Sequence, residues 1–396
     1  MPQTFDVAIA GAGLIGGSIA FELARAGLSV AVFDRQQPGQ ESSWAGAGIL
    51  SPAPENPGML PAVPLGKASM AAYPGYIAAI EEVSGQSCGF RPKGTLEPLF
   101  SRQTREELST IVAMHRGFGL RAEPLSPEDA RELEPGLTED VEAAVLRPDE
   151  ATVDNRALTV AVLEAAKGSG TQFFAGKEVC SVRREANRCL GIVVAEQRGA
   201  EEKISAGTTI IAAGCYSAKI AGVAPYAPVQ PAKGQMLALR APDLKIERVL
   251  WSDKVYLVPR NDGRILAGAT VEYVGFDKSP TAGAIERILA ASIELVPTLA
   301  NATIDEIWAG LRPDSPDHHP ILGPTDIDNL YIATGHFRSG ILLAPITARL
   351  FRLWLTHDLG PLTAASLGGQ SIDDKTLSLS RFSPLRFQAA ATQTSI

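Results

Sequence analysis

The sequence predicts an α/β fold in which a parallel-sheet domain is assembled from discontinuous segments of chain, with a second, strand-rich domain inserted between them. Three observations predict it. Residues Phe5 to Asp34 read as an apolar strand, a glycine turn, a helix, a second apolar strand and an acid. Two later apolar runs also close in small-residue turns containing glycine, Ala212-Ala213-Gly214 and Ala333-Thr334-Gly335. Between these two turns, Pro225 to Gly275 carries strands in quick succession. One open α/β sheet can gather all three glycine turns at the carboxyl ends of its strands, where such sheets bind their ligands.

The first unit is a Rossmann-like dinucleotide fingerprint, Gly11-Ala12-Gly13-Leu14-Ile15-Gly16. Gly11 permits the tight turn, Gly13 lets the backbone approach a pyrophosphate, and Gly16 lets the helix lie close on the strand. The free N–H groups of the helix N-terminus then face the phosphates. Apolar residues recur at Leu14, Ile15, Ile19, Leu23 and Ala26 with helical period, and Gly27 supplies a left-handed stop. The next strand, Leu28 to Phe33, ends at Asp34, whose carboxylate is placed to accept hydrogen bonds from an adenosine ribose. The fingerprint alone does not separate FAD from NAD.

Further along, Ser42 to Leu50 is a run of small residues where a loop ordinarily carries charge, which suits close approach to a flat ring system or a pyrophosphate. A Pro-rich stretch follows, then a helix from Ala68 to Val83 and a mixed segment to about Asp140 that looks like an insertion. A short strand, Ala143 to Leu146, leads to a helix from Asn155 to Lys167 with Leu158, Val162, Leu163 and Ala166 on one face. Strands are expected at Val179 to Arg183, Leu190 to Ala195, Thr208 to Ala213 and Met236 to Leu239. Val255 to Val258 and Ile265 to Ala267 form a hairpin candidate across Asn261-Asp262-Gly263. A helix from Ala282 to Leu295 and a strand from Asn329 to Ala333 complete the pattern. The expected division is residues 1–53, 141–222 and 305–370 for the cofactor, 54–140 and 223–304 for the substrate, and 371–396 as a tail.

With 396 residues, 45% of them hydrophobic and 20% charged, the composition is that of a globular protein with room for two domains. A net charge of −8 argues against a nucleic-acid surface, which needs clustered Lys and Arg. The first strand begins almost at residue 1, so no signal peptide is expected. The longest apolar stretch, Gly340 to Leu355, is interrupted by Arg349 and Arg352 and is too short and too charged to span a bilayer. Cys88, Cys180, Cys189 and Cys215 form no C-x-x-C pair, which suits a reducing cytoplasm, and they read as small buried hydrophobes. His318-His319 is the only histidine cluster and supplies too few converging ligands for a metal, so none is expected.

Several segments carry a family resemblance. The Gly11 fingerprint, the Ser42 to Leu50 loop, Tyr256-Leu257-Val258-Pro259-Arg260 with Gly268-Ala269-Thr270, Trp308-Ala309-Gly310-Leu311-Arg312-Pro313, and the run from Ala333 to Pro345 resemble the D-amino-acid-oxidase-like flavoproteins, and among them the glycine oxidases. The resemblance implies non-covalent FAD, an α+β substrate domain with a large mixed antiparallel sheet, and oxidation of glycine or a similar small amine (sarcosine, D-alanine, D-proline) to the imine with O2 reduced to H2O2. It also implies service to thiamin thiazole formation and a homo-oligomer, a tetramer in many members. The cofactor contacts so implied are Gly11, Gly13, Leu14, Ile15, Gly16, Asp34, Arg35, Ser42, Ser43, Ala45, Gly46, Ala47, Gly48, Ile49, Val179, Ala213, Gly214, Gly335, His336, Phe337, Arg338, Ser339, Gly340, Ile341 and Leu342.

For the chemistry, a carboxylate needs a fixed anchor, and the planar fork of Arg holds one bidentately. Arg312, in an otherwise uncharged turn, is the candidate, with Tyr256 resembling the family tyrosine that helps hold the carboxylate and Arg338 a family arginine near the reacting centre. The helix after Gly340, with Pro345 expected in its first turn, would aim its positive end at the flavin. Lys254 and Val271 stand where some family members carry a His and a Met near the pocket. The alternatives are an FAD-dependent D-amino-acid or imino-acid dehydrogenase that passes electrons to a quinone or carrier, an NAD-dependent dehydrogenase, and a non-catalytic flavin-binding module.

Overall fold

The structure, a computed structural model, describes residues 4–54, 57–100, 104–196, 199–357 and 379–388. Much of the expected tail, 371–396, and the end of the expected cofactor segment, 358–370, lie outside the described residues.

Two eight-stranded sheets dominate. In the first, the strands that end in the three glycine turns lie side by side. Thr4–Ala10 pairs in parallel with Glu202–Ile211, which pairs in parallel with Leu330–Thr334. Val30–Asp34 and Gln172–Ala175 extend the sheet in parallel on the other side. Glu178–Glu185 and Arg188–Ala195 form an antiparallel annex on Glu202–Ile211. Strands covered on both faces read as near-continuous apolar runs. Accordingly Val7 and Ile9 face one core with Ile19, Leu23 and Phe351 of the flanking helices, while Ala8 and Ala10 face another with Phe33 and Ile192.

The second sheet runs Thr303–Asp314, Gln230–Arg240, Arg264–Gly268, Tyr256–Pro259, Val249–Trp251, Thr95–Leu99, Ala143–Arg147 and Glu123–Leu125. It is antiparallel except where Val249–Trp251 meets Thr95–Leu99. The expected hairpin forms, with Gly263 at φ +80° in its turn.

Several expectations shift. Ala143–Arg147 and nearly all of Thr303–Asp314 fall within segments assigned to the cofactor domain, yet both pair into the second sheet. The reason is register: Thr303–Asp314 pairs along the length of Gln230–Arg240, and Ala143–Arg147 pairs residue for residue with Thr95–Leu99. The helix expected from Ala68 spans Val63–Ser84, and the small-residue loop holds a helical turn, Ser42–Ala45, and a two-residue strand, Ile49–Leu50. Pro345 sits in the second turn of the helix Gly340–Thr356, not the first. It has no N–H for the Ile341 carbonyl, and the Tyr73 hydroxyl donates there instead at 2.6 Å.

Candidate active site

A cavity of about 940 Å³ is lined by the carboxyl ends of the parallel strands of the first sheet and by the inner face of the second. It takes in every candidate cofactor and substrate residue except Gly16 and Gly335. Those two act on the backbone. A Cβ on Gly16 would stand 2.0 Å from the Gly11 carbonyl oxygen, so its absence lets the helix seat on the turn. Gly335 takes φ +71° where the strand Leu330–Thr334 breaks into the run from His336 to Leu342.

Gly11 adopts φ +102°, and a Cβ there would meet the Ala212 carbonyl oxygen at 2.4 Å. The first and second glycine turns are thus packed against each other, as their adjacent strands require. The helix Leu14–Arg25 begins beside this turn with Gly13 as cap and no acid in its first turn, so its exposed N–H groups suit a phosphate. Asp34 Oδ2 accepts from Ala12 N at 2.8 Å and Oδ1 from Gln36 N at 3.0 Å, which aims the carboxylate along the strand end. Burial pushes the Asp34 carboxyl above its ordinary range, against the pull of those two N–H groups and of Arg35. Hydroxyl donors from a ribose would offset that burial. Arg35 stacks 3.5 Å over the Tyr216 ring and pairs with Glu41, closing this end of the cavity.

The loop Ser42 to Leu50 is held by donors from distant segments. Ser43 Oγ accepts from Leu14 N at 2.9 Å, tying the loop to the start of the dinucleotide helix. Asn155 Nδ2 donates to the Ser43 and Trp44 carbonyls at 2.8 and 2.9 Å, and Trp308 Nε1 donates to the Ala45 carbonyl at 3.0 Å. Arg260, which burial pulls down to about 10, donates to the carbonyls of Ala47 and Val153 and to Asn155 Oδ1. This clamp escapes the sequence analysis. Arg260 and Trp308 lie in segments that carry the family resemblance, but nothing in their spacing from Asn155 shows that the three converge.

Across the cavity, Arg312 Nη1 donates to the Thr270 carbonyl at 3.0 Å, which orients the guanidinium. A Cβ on Gly234 of the neighbouring strand would lie 2.3 Å from Arg312 Nη1, so the arginine lies over a gap that only glycine leaves. A glycine in the interior of a long strand, here between Lys233 and Gln235, is the signal that marks such a close approach. The Tyr256 ring stacks on Trp251 at 5.5 Å with its hydroxyl 3.7 Å from Met236 Sδ. Arg338 lines the same cavity beside the start of the helix Gly340–Thr356. His336 is buried, which pulls its imidazole down to about 3, so it is neutral at ordinary pH. Lys254 and Val271, expected near the pocket, do not line it. Lys254 pairs with Glu294 at 2.8 Å on the surface, and Val271 is exposed.

The arrangement fits a flavin dinucleotide: a helix N-terminus and glycine turn for the pyrophosphate, an acid for the ribose, and a long trough continuing past both. A sequence profile described as FAD dependent oxidoreductase matches residues 6–353. The chain belongs to that family. Its cofactor is FAD. Over 373 residues it is 35% identical to the bifunctional protein ThiO/ThiG of Synechocystis sp., a match that takes in 92% of this chain and 54% of that protein. The chain thus spans about half the length of such curated relatives. It is 32% identical over 354 residues to the glycine oxidase of Geobacillus kaustophilus, covering 88% of this chain and 92% of that one. The crystal structure of the glycine oxidase from Geobacillus kaustophilus superposes with a TM-score of 0.84 at 30% identity, covering 97% of this chain and 99% of that chain. Among the described residues of this family member, no helix is long and apolar enough to cross a membrane.

Proposed function

We propose that the protein oxidises glycine or a similarly small amine (sarcosine, D-alanine, D-proline) to the imine, which water converts to the oxo acid, with O2 reduced to H2O2. The observation that carries this reading is the placement of Arg312 and Tyr256 on the sheet face that closes the same cavity as the glycine turns. Arg312 offers a charged donor fork and Tyr256 a hydroxyl, and together they fix a carboxylate at one end of the substrate. Bound FAD supplies the hydride acceptor. The protein supplies position and field: the anchor orients the Cα–H, and the N-terminus of Gly340–Thr356 with Arg338 favours negative charge where it develops. No protein base is needed when the amine reacts in its neutral form. By likeness to the ThiO/ThiG and glycine oxidase relatives, the proposal extends to a supply of imine for thiamin thiazole formation, and by the family resemblance alone to a homotetramer.

The test is anaerobic mixing of holoenzyme with single amines. Glycine, sarcosine, D-alanine or D-proline should bleach the oxidised flavin band and L-amino acids should not, because the anchored carboxylate lets one face of Cα reach the cofactor. Air should then restore the yellow colour with release of H2O2. Slow recovery in air and fast recovery with a quinone analogue would establish the dehydrogenase instead, and no bleaching by any amine would overturn the reading.

A further inference from the structure

The cavity extends past the carboxylate anchor, and its far end is built differently. Tyr256 lies opposite Trp251 on the next strand, and that strand runs beside Thr95–Leu99 in a register that leads from Trp251 toward Glu97. Two strand spacings, about 10 Å, therefore separate Tyr256 from Glu97. Glu97, Asp253, Trp251, Arg147 and His115 all line this end.

The charges there do not cancel. Arg147 pairs with Glu97 and, at 3.5 Å, with Glu150, so its charge is already compensated twice, although its Nε has no partner of its own. Asp253 adds a third carboxylate against that one guanidinium. His115 gives an independent sign. Its Nδ1 lies 2.9 Å from the Ile111 carbonyl, which can only accept, so Nδ1 carries the proton. With one proton on the ring, Nε2 is then the acceptor, and it is buried without a hydrogen-bond partner on a side chain only 3% exposed. An acceptor left unsatisfied in this way is unfavourable until a donor reaches it.

We propose that this end of the cavity is a second recognition subsite, which takes an ammonium or guanidinium group at the far end of the substrate. Resting on the amine-oxidising reading above, the inference names a substrate class: D-α-amino acids with a long basic side chain. The carboxylate binds at Arg312 and Tyr256, the side chain crosses the Trp251 indole, and the cation meets Glu97, Asp253 and the His115 acceptor. The Trp251 face adds attraction for the charge as it passes. A second carboxylate would meet net negative charge, so acidic side chains are excluded. Glycine and D-alanine occupy the anchor alone and leave the far end to water.

The experiment compares kcat/KM of the holoenzyme for D-lysine, D-norleucine, which keeps the chain without the ammonium, and D-glutamate, with glycine and D-alanine as references. D-Lysine should exceed D-norleucine at least tenfold, with D-glutamate lowest. That ratio should fall toward one in Glu97→Gln and, independently of any packing role for Glu97, in Asp253→Asn. A residue that merely supports the fold lowers both substrates alike and leaves the ratio unmoved. The subsite is overturned if D-norleucine matches D-lysine in the unaltered enzyme, or if neither variant changes the ratio. If glycine and D-alanine are oxidised while D-lysine has no advantage, the subsite alone fails. If no amine reduces the flavin, both proposals fall.

Discussion

Arg312 is seated by a residue far from it in the chain. Its charge marks it in the sequence, but the expected turn is part of the strand Thr303–Asp314, whose pairing decides the setting: the gap at Gly234 that admits the guanidinium comes from a strand some eighty residues earlier, paired at Ala232↔Arg312 and Gly234↔Gly310. Arg312→Ala should leave the flavin spectrum intact and lower kcat/KM by about 2–5 kcal/mol, roughly 30- to 5,000-fold, the usual cost of removing one partner of a desolvated charged pair. Arg312→Lys should fall between, because it keeps the charge and loses the fork. Gly234→Ala, which adds a methyl where Arg312 lies, should raise KM for an amino acid without releasing flavin. Unchanged kinetics in both Arg312→Ala and Gly234→Ala would place the anchor elsewhere. His336 makes a different prediction. Its folded pKa is about 3 against an ordinary value of 6.5, so below pH 6.5 the unfolded chain binds a proton that the folded chain refuses. Stability from this site is complete above pH 6.5 and falls by about 1.4 kcal/mol per pH unit as the pH drops toward 3. Urea unfolding of the protein and of His336→Asn between pH 8 and 5 should show that extra slope only in the former; parallel profiles would contradict it.

At the scale of elements, the strands that end in glycine turns were readable because two-sided burial forces continuous apolar runs and the turn forces small residues. The helix Ala282–Leu295 is found where its period puts it. The inserted segment was readable only in part: its helix is found, longer at the start than the expected Ala68 to Val83, but Thr95–Leu99 contains Glu97 and Pro98 and shows no clean strand period. Those short strands exist because they extend a sheet begun elsewhere in the chain. The loop Ser42 to Leu50 lies between these cases. Its small residues announce close approach, yet its rigidity comes from Asn155, Arg260 and Trp308. Asn155→Ala removes two hydrogen bonds to the half-buried Ser43 and Trp44 carbonyls and the acceptor for the buried Arg260, and leaving a buried group unpaired costs about 1–3 kcal/mol. We expect a lowered Tm and faster flavin loss on dilution. Flavin retention equal to that of the unaltered protein would show that the loop holds its shape without the clamp.

The molecule as a whole is two large sheets that line one cavity, and the part nearest the glycine turns is where FAD would be held. A ligand that binds only the folded state stabilises it by mass action, about 2.7 kcal/mol at a hundred times its dissociation constant. Removing the cofactor should therefore lower Tm, and titrating FAD back should raise it in a concentration-dependent way, while NADH should not. We expect non-covalent attachment, for a reason visible in the cavity wall. Cys180 and Cys215 line it, but burial pushes the Cys215 thiol up to about 12 and also raises that of Cys180, so neither offers the thiolate that a bond to the flavin ring requires. Acid precipitation should thus release all the flavin into the supernatant, and a denaturing gel should show no fluorescence on the protein band. Fluorescence that stays with the chain would overturn this account. Loss of that fluorescence in Cys215→Ser or Cys180→Ser would then identify the linkage.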